Sequence, residues 1–255
     1  MSDKVNKFVW YDLMTSDIKA AATFYGKVAG WGSMDSGMVE RPYHLFTMGA
    51  TMIAGLMPIP PDAAGASPAW MGYLGVDNVD AYAAKVTGAG GKVLRAPEDI
   101  PNGVGRFAIV ADPHGATFAL FAANAGDPPA EAGNAPGRIG WHELHAGDLD
   151  TAWEFYSGLF GWGKTETIDM GPMGSYQIFS TGGNPVGGVM TKMPQSPAPF
   201  WLYYFNVDAI DAAIERIKDA GGQVTNGPHQ VPGGLWIVQA LDPQGALFAL
   251  VAPQR

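Results

Sequence analysis

The sequence predicts an α+β protein of two tandem domains, each made of two βαβββ modules. Three observations lead there. First, the stretch WYDLMTSDIKAAATFYGKVAGW at 10–31 returns as WHELHAGDLDTAWEFYSGLFGW at 141–162. Trp10/Trp141, Leu13/Leu144, Asp17/Asp148, Ala21/Ala152, Phe24/Phe155, Tyr25/Tyr156, Gly30/Gly161 and Trp31/Trp162 are identical. Second, the repeat runs on through each half. YHLFTMGATMIAGLM (43–57) is echoed by YQIFSTGGNPVGGVM (176–190), VDNVDAYAAKVTGAGGKV (76–93) by VDAIDAAIERIKDAGGQV (207–224), and ADPHGATFALFA (111–122) by LDPQGALFALVA (241–252). Third, each half contains the same order of elements twice: a strand-like run, a helical stripe, then two or three more strand-like runs.

The elements follow in order. FVWYDLM opens the first module and IGWHELHA the third, while WMGYLGV and FWLYYFNV open the second and fourth. Ile18, Ala21, Ala22, Tyr25, Val28 and Ala29 recur at helical spacing, with Ser16 or Asp17 as N-cap and Gly30 as stop. The third module repeats this with Leu149, Ala152, Trp153, Tyr156, Leu159 and Phe160, stopped by Gly161. Shorter stripes follow Asp77 (Val79, Tyr82, Ala83, Val86) and Asp208 (Ile210, Ala213, Ile214, Ile217). DPHG and DPQG place Asp, Pro and Gly where type I turns favour them, just before the last strand of each half.

Residues 1–123 are the first expected domain and 138–255 the second. The linker at 124–137 carries Gly126, Pro128, Pro129, Gly133 and Pro136. Proline-rich joints at 58–68 and 192–199 separate the modules inside each half, and sequential pairing of modules would give two cavities.

Composition narrows the function classes. The chain has 255 residues, 47 % of them hydrophobic and 15 % charged, as a folded protein with substantial cores requires. A net charge of −9 with no Lys/Arg run argues against nucleic acid as a partner. No apolar run reaches the roughly 18 residues of a membrane span, and the opening MSDKVNKF lacks the apolar core of a secretory signal. A cytoplasmic location is therefore expected. Cysteine is absent, which excludes disulfides, thiol catalysis and Cys-based zinc sites.

Four βαβββ modules with a D…A..FY…GW helix and a DP.G…L final strand resemble the vicinal oxygen chelate superfamily, which includes glyoxalase I, bleomycin-resistance proteins and extradiol dioxygenases. The resemblance covers nearly the whole chain. It implies that two modules form a curved mixed sheet around a cavity, and that metal-dependent members hold a divalent ion at four points of that cavity with His, Glu or Gln. Those points fall here on Trp10 and Trp141, on Met71 and Leu202, on Ala119 and Ala249, and on the runs Ile53–Leu56 and Val186–Val189, none of which offers His, Asp or Glu. No cofactor is expected on this basis. Dimers formed through sheet faces are also implied by the resemblance.

Strand side chains alternate between faces. If Trp10 and Trp141 face a cavity, so do Asp12, Met14, Glu143 and His145, while Tyr11, Leu13, His142 and Leu144 face the helices. A carboxylate in an apolar site needs a partner or becomes a neutral acid. Asp12 and Glu143 are thus candidate acid/base groups or ligand anchors, with His145 beside Glu143. The alternative is a structural carboxylate bonded to an Arg, a Trp N–H or a backbone N–H. HELH at 142–145 is not a zincin motif, which needs two His four apart on a helix. Glu143 and His145 share a face, so a shifted metal site in the second half is the remaining metal reading. His114 is expected in a solvated turn, and His44 and His229 on loops or surface. Met34, Met38, Met48, Met52, Met57, Met170, Met173, Met190 and Met193 read as adaptable loop methionines near apolar pockets.

The function expected from all this is binding of a small apolar or aromatic molecule in the barrel cavities, without the family's metal. Trp10, Met14, Met71, Ala119, Trp141, Leu202 and Ala249 would contact it, and Thr117, Phe121, Leu247 and Val251 would extend the wall. The alternative is a lyase, isomerase or dioxygenase that uses a shifted metal or metal-free acid/base catalysis through Asp12 and Glu143. The second cavity would be the more polar and pH-sensitive one, because it has His145 and His142 where the first has Met14 and Tyr11.

Overall fold

A computed structural model describes residues 6–38, 42–63, 65–124 and 133–255. The first module comprises β1 (Phe8–Thr15), α1 (Ile18–Ala29), β2 (Gly32–Asp35), β3 (His44–Met48) and β4 (Thr51–Pro58). The second comprises β5 (Ala69–Gly75), α2 (Val79–Gly88), β6 (Lys92–Ile100), β7 (Gly105–Ala111) and β8 (Thr117–Ala123). The third comprises β9 (Ile139–Ala146), α3 (Leu149–Phe160), β10 (Gly163–Asp169), β11 (Ser175–Ser180) and β12 (Pro185–Thr191). The fourth comprises β13 (Phe200–Asn206), α4 (Ile210–Asp219), β14 (Gln223–Gln230), β15 (Trp236–Leu241) and β16 (Leu247–Ala252). The strands form two eight-stranded mixed sheets, ordered β2-β3-β4-β1-β5-β8-β7-β6 and β10-β11-β12-β9-β13-β16-β15-β14.

The helices start and stop where the chain's chemistry dictates. Asp17 and Asp148 accept from the backbone N–H three residues on, at Ala20 and Thr151. Gly30 and Gly161 end α1 and α3 in the left-handed region, at φ 75° and 64°. The N-cap of α2 is Asn78, one residue after Asp77, and α4 starts after Ala209 with no side-chain cap. All the expected stripe residues of α2 and α4 are buried. In α1 and α3 the buried face also includes Phe24 and Phe155, one residue before each stripe tyrosine.

Two compact units cut across the tandem halves. One holds Met1–Val9, Gly72–Pro128 and Trp141–Leu202; the other holds Trp10–Met71, Pro129–Gly140 and Tyr203–Arg255. In the second of these α1 packs against α4, and in the first α2 packs against α3. The repeated FY…GW and DP.G motifs make the joints. Tyr25 donates to Asp242 (3.2 Å) and accepts from Trp70 Nε1 (2.9 Å). In the other unit Tyr156 donates to Asp112 (3.4 Å) and accepts from Trp201 Nε1 (3.1 Å). The free edge of each turn Asp is used as well: Oδ1 of Asp242 accepts from the N–H of Gln244 and Ala246, and Oδ1 of Asp112 from His114 and Ala116. Burial pushes the Asp242 carboxyl up and raises the Tyr25 phenol well above its usual range.

Aromatic rings fill both cores. Tyr25, Trp31, Phe46, Trp70, Phe205 and Phe248 interlock in one unit. Phe8, Tyr156, Trp162, Phe179 and Trp201 do so in the other. Burying such a ring is worth about 1.5–3 kcal/mol, and the polar edges of the indoles are satisfied. Trp31 Nε1 donates to Gly137 O at 2.8 Å and Trp162 Nε1 to Asn6 O at 3.0 Å.

The centre of the expected linker, 125–132, lies outside the described residues, as do residues 1–5 of the opening segment. Its last part is fixed by Gly137 and by Asn206, whose amide donates to Gly133 O and Ala135 O. Among the described residues no helix is long and apolar enough to cross a membrane.

Candidate functional site

The strand register brings a glycine opposite each repeated carboxylate. β1 runs parallel to β4 with Asp12 paired to Gly55, and β9 runs parallel to β12 with Glu143 paired to Gly188. A side chain at either glycine would collide with what lies above it: Asp12 and Tyr43 over Gly55, and the Tyr176 ring over Gly188. The glycines therefore open the space in which a tyrosine reaches a carboxylate.

In the first half Tyr43, just before β3, donates to Asp12 Oδ1 at 2.8 Å. Trp10 Nε1 bridges the pair, 3.0 Å from Asp12 Oδ1 and 2.9 Å from Tyr43 Oη. Burial raises the Tyr43 phenol well above its usual range, and the charge of Asp12 with the hydrogen bond it accepts adds to the effect. In the second half Trp141 Nε1 donates to Tyr176 Oη at 2.9 Å, and Tyr176 donates to Glu143 Oε2 at 2.9 Å. The side chain of Glu143, longer by one methylene, leaves Oε1 for His145, whose Nε2 lies 2.8 Å away. The His145 ring stacks on Phe200, with centroids 4.4 Å apart and planes 8° apart.

Asp12 and Glu143 are 5 % and 8 % exposed, and each is hydrogen-bonded as a buried charge must be. Trp10, Met14, Trp141 and His145 are half-buried on the same faces. Met71 and Leu202 are buried, and Ala119 and Ala249 have no exposure at all, so these four belong to the core packing. Tyr11, Leu13, His142 and Leu144 are buried on the opposite faces. His142 donates from Nδ1 to Val186 O at 2.7 Å and stacks on Phe8 at 4.1 Å. Burial lowers its pKa to about 4, against the opposing effect of the Val186 bond.

Tyr43, Tyr176, Gly55, Gly188 and Phe200 complete the clusters and were not singled out from the sequence. The signal was present: both tyrosines open their repeated segments, and both glycines occupy equivalent positions within them. Several methionine expectations need correcting. Met34, Met48, Met52, Met57 and Met190 are on strands rather than loops, and Met34 and Met52 are exposed at 54 % and 39 %. Met34 lies on β2, a four-residue edge strand whose residues are all exposed. His44 and His229 are on strands β3 and β14; His229 is at the surface, as expected, with Nε2 2.9 Å from Asn226 Oδ1, and His44 is half-buried. His114 is in an exposed turn, as expected. An open hollow of about 360 Å³ lies away from the carboxylates, lined by Lys19, Thr23, Lys27 and Pro243 among others.

The Glyoxalase/Bleomycin resistance protein/Dioxygenase superfamily model matches residues 7–120 and again 138–250. The chain belongs to this superfamily. It is 34 % identical over 247 residues to "Putative glyoxylase CFP32" of Mycobacterium tuberculosis, covering 96 % of this chain and 94 % of that one. It is 31 % identical over 259 residues to "Anthracycline biosynthesis protein DnrV" of Streptomyces peucetius, covering 95 % and 91 %. Among solved structures, the Mn(II)-bound glyoxalase from Novosphingobium aromaticivorans superposes with a TM-score of 0.69 at 16 % identity, covering 99 % of this chain and 83 % of that one. The 2,3-dioxygenase LapB from Pseudomonas sp. KL28 gives 0.66 at 14 %, covering 96 % and 91 %. These two likenesses establish the superfamily fold.

The Novosphingobium glyoxalase holds Mn(II), so the donor set here needs testing. The points where the resemblance places ligands carry indole, thioether and aliphatic side chains, and the indole N–H groups of Trp10 and Trp141 are already donating. Among the described residues no three His, Asp or Glu side chains converge. Zinc, iron and manganese take three or more such donors from the protein. The residues at the family position do not fit a metal.

Proposed function

We propose that this superfamily member binds a small apolar or aromatic molecule, with the two Trp–Tyr–carboxylate clusters as polar anchors and no metal at the family position. The observation that carries this reading is the clusters' construction. In each half the first strand carries an indole at the point where the resemblance places a metal ligand and a carboxylate two residues on, and a tyrosine from outside that strand donates to the carboxylate. Binding sites of this type combine apolar walls with a few well-held polar groups. The half-buried Trp10 and Met14, and Trp141 and His145, supply walls of that kind. No nucleic-acid or membrane partner enters this proposal; a cytoplasmic protein, with a second copy of the chain as its protein partner, is consistent with it.

The contact between His145 Nε2 and Glu143 Oε1 favours a second reading, metal-free acid/base catalysis in the second half by a lyase or isomerase. The test of the main reading is a crystal structure of untagged protein purified directly from its host. Organic density against Trp10 or Trp141 supports it. A metal bound at these strands refutes it.

A further inference from the structure

We infer that His145 Nδ1 is a hydrogen-bond acceptor for a neutral aromatic ligand carrying an O–H or N–H donor, and that the second half alone has this site. The inference rests on the reading above that the clusters are ligand anchors.

Three observations assemble it. An ionised carboxylate can only accept hydrogen bonds. Glu143 Oε1 lies 2.8 Å from His145 Nε2, so the proton between them belongs to Nε2. In the neutral ring the other nitrogen, Nδ1, then has an available lone pair. Among the described residues that nitrogen makes no hydrogen bond, yet it is not sealed away. Gln244 Oε1 is the buried side-chain polar atom without a partner among the described residues, and neither ring nitrogen of His145 joins it. The imidazole side chain is 11 % exposed, so it is held by its surroundings and still reachable from one side.

The ring is also fixed in direction. Phe200 stacks on one face at 4.4 Å, and Glu143 is held in turn by Tyr176 and, through it, by Trp141. A carboxylate that orients an imidazole by one nitrogen and leaves the other toward a ligand is a preorganised acceptor. The Phe200 ring against it, with Trp141 half-buried on the same face of β9, favours a flat apolar body on the ligand. The first half cannot do the same. Met14 occupies the position of His145, and Asp12 Oδ1 receives both the Trp10 and the Tyr43 donors. A thioether is only a weak acceptor.

Two measurements test this on the full chain. The first is a long-range ¹H–¹⁵N spectrum of the histidine rings, with His145→Gln for assignment. The neutral His145 ring should be protonated at Nε2 and bare at Nδ1, and Glu143→Gln should mix the two tautomers. A neutral ring protonated at Nδ1 in the unaltered protein overturns the inference. The second is calorimetric binding of 2-naphthol against 2-methoxynaphthalene, which lacks the donor. The naphthol should bind about tenfold more tightly, and His145→Phe, which keeps a ring against Phe200, should remove the difference. Equal binding of the two probes overturns the acceptor role while leaving the apolar-ligand reading intact. Binding of neither overturns both. A naphthol preference that survives His145→Phe places the acceptor elsewhere and overturns the inference.

Discussion

Tyr43 donates a 2.8 Å hydrogen bond to Asp12, from a position 31 residues further along the chain, and Trp10 donates to both. The same three residue types meet again in the second half as Trp141, Tyr176 and Glu143. What differs is the carboxylate's length and the residue two places on, and that difference gives the two halves unequal chemistry.

Removing one partner from a buried charged hydrogen bond costs about 1–3 kcal/mol. Tyr43→Phe and Tyr176→Phe should each destabilise the protein by that amount in urea denaturation, because each leaves a buried carboxylate short of a donor. Unchanged midpoints for both variants would mean that the clusters hold nothing together.

Gly55→Ala and Gly188→Ala should be worse than an ordinary strand substitution. The added methyl would displace the tyrosine above it, and overpacking costs about 1–3 kcal/mol. Thermal melting against a control such as Gly163→Ala on strand β10, where a methyl makes only an ordinary contact, isolates the effect of the cluster. Equal melting points for the cluster and control variants would contradict the packing described.

The pH dependence has a definite sign at each end. His142 is held neutral by burial, with its pKa lowered from 6.5 to about 4. The unfolded chain takes up this proton first as pH falls, so stability is full above pH 6.5 and declines down to about pH 4. The loss approaches about 3 kcal/mol. His142→Phe should flatten that part of the stability profile, and an unchanged slope would count against the assignment. At the alkaline end the Tyr11, Tyr25 and Tyr43 phenols are raised well above 10.0. They lose stability as pH rises past the unfolded value. Absorbance at 295 nm should show these tyrosines ionising only together with unfolding.

The motifs that repeat in the sequence also tie its halves together. Tyr25 reaches Asp242, Tyr156 reaches Asp112, and Arg216 donates to Val28 O. Residues 1–123 and 138–255 expressed separately should therefore aggregate or melt poorly. Mixing them should restore a cooperative transition by circular dichroism. Two fragments that each fold stably alone would show these joints to be dispensable.

Much of the fold was legible because the repeat aligns the halves residue by residue and because helix caps and DP.G turns have local causes. All four helical stripes and all four leading strands lie where the periodicity puts them. The carboxylates' positions were legible too, since alternation on a strand puts Trp10 with Asp12 and Trp141 with Glu143. Their phenolic partners were not. Tyr43 and Tyr176 reach them through strand pairing between β1 and β4 and between β9 and β12, and a register between distant segments leaves no periodic mark. The packing of α1 on α4 was invisible for the same reason: an amphipathic stripe says that a face is buried, but not against which partner.

The central claim is that these strands hold an organic ligand and not a metal. It is tested most directly by anomalous diffraction from crystals of the untagged protein soaked in Mn(II) and Zn(II). The account predicts no anomalous peak near Trp10, Asp12, Trp141 or Glu143. A full-occupancy peak coordinated by Glu143 and His145, or by Asp12, would contradict it.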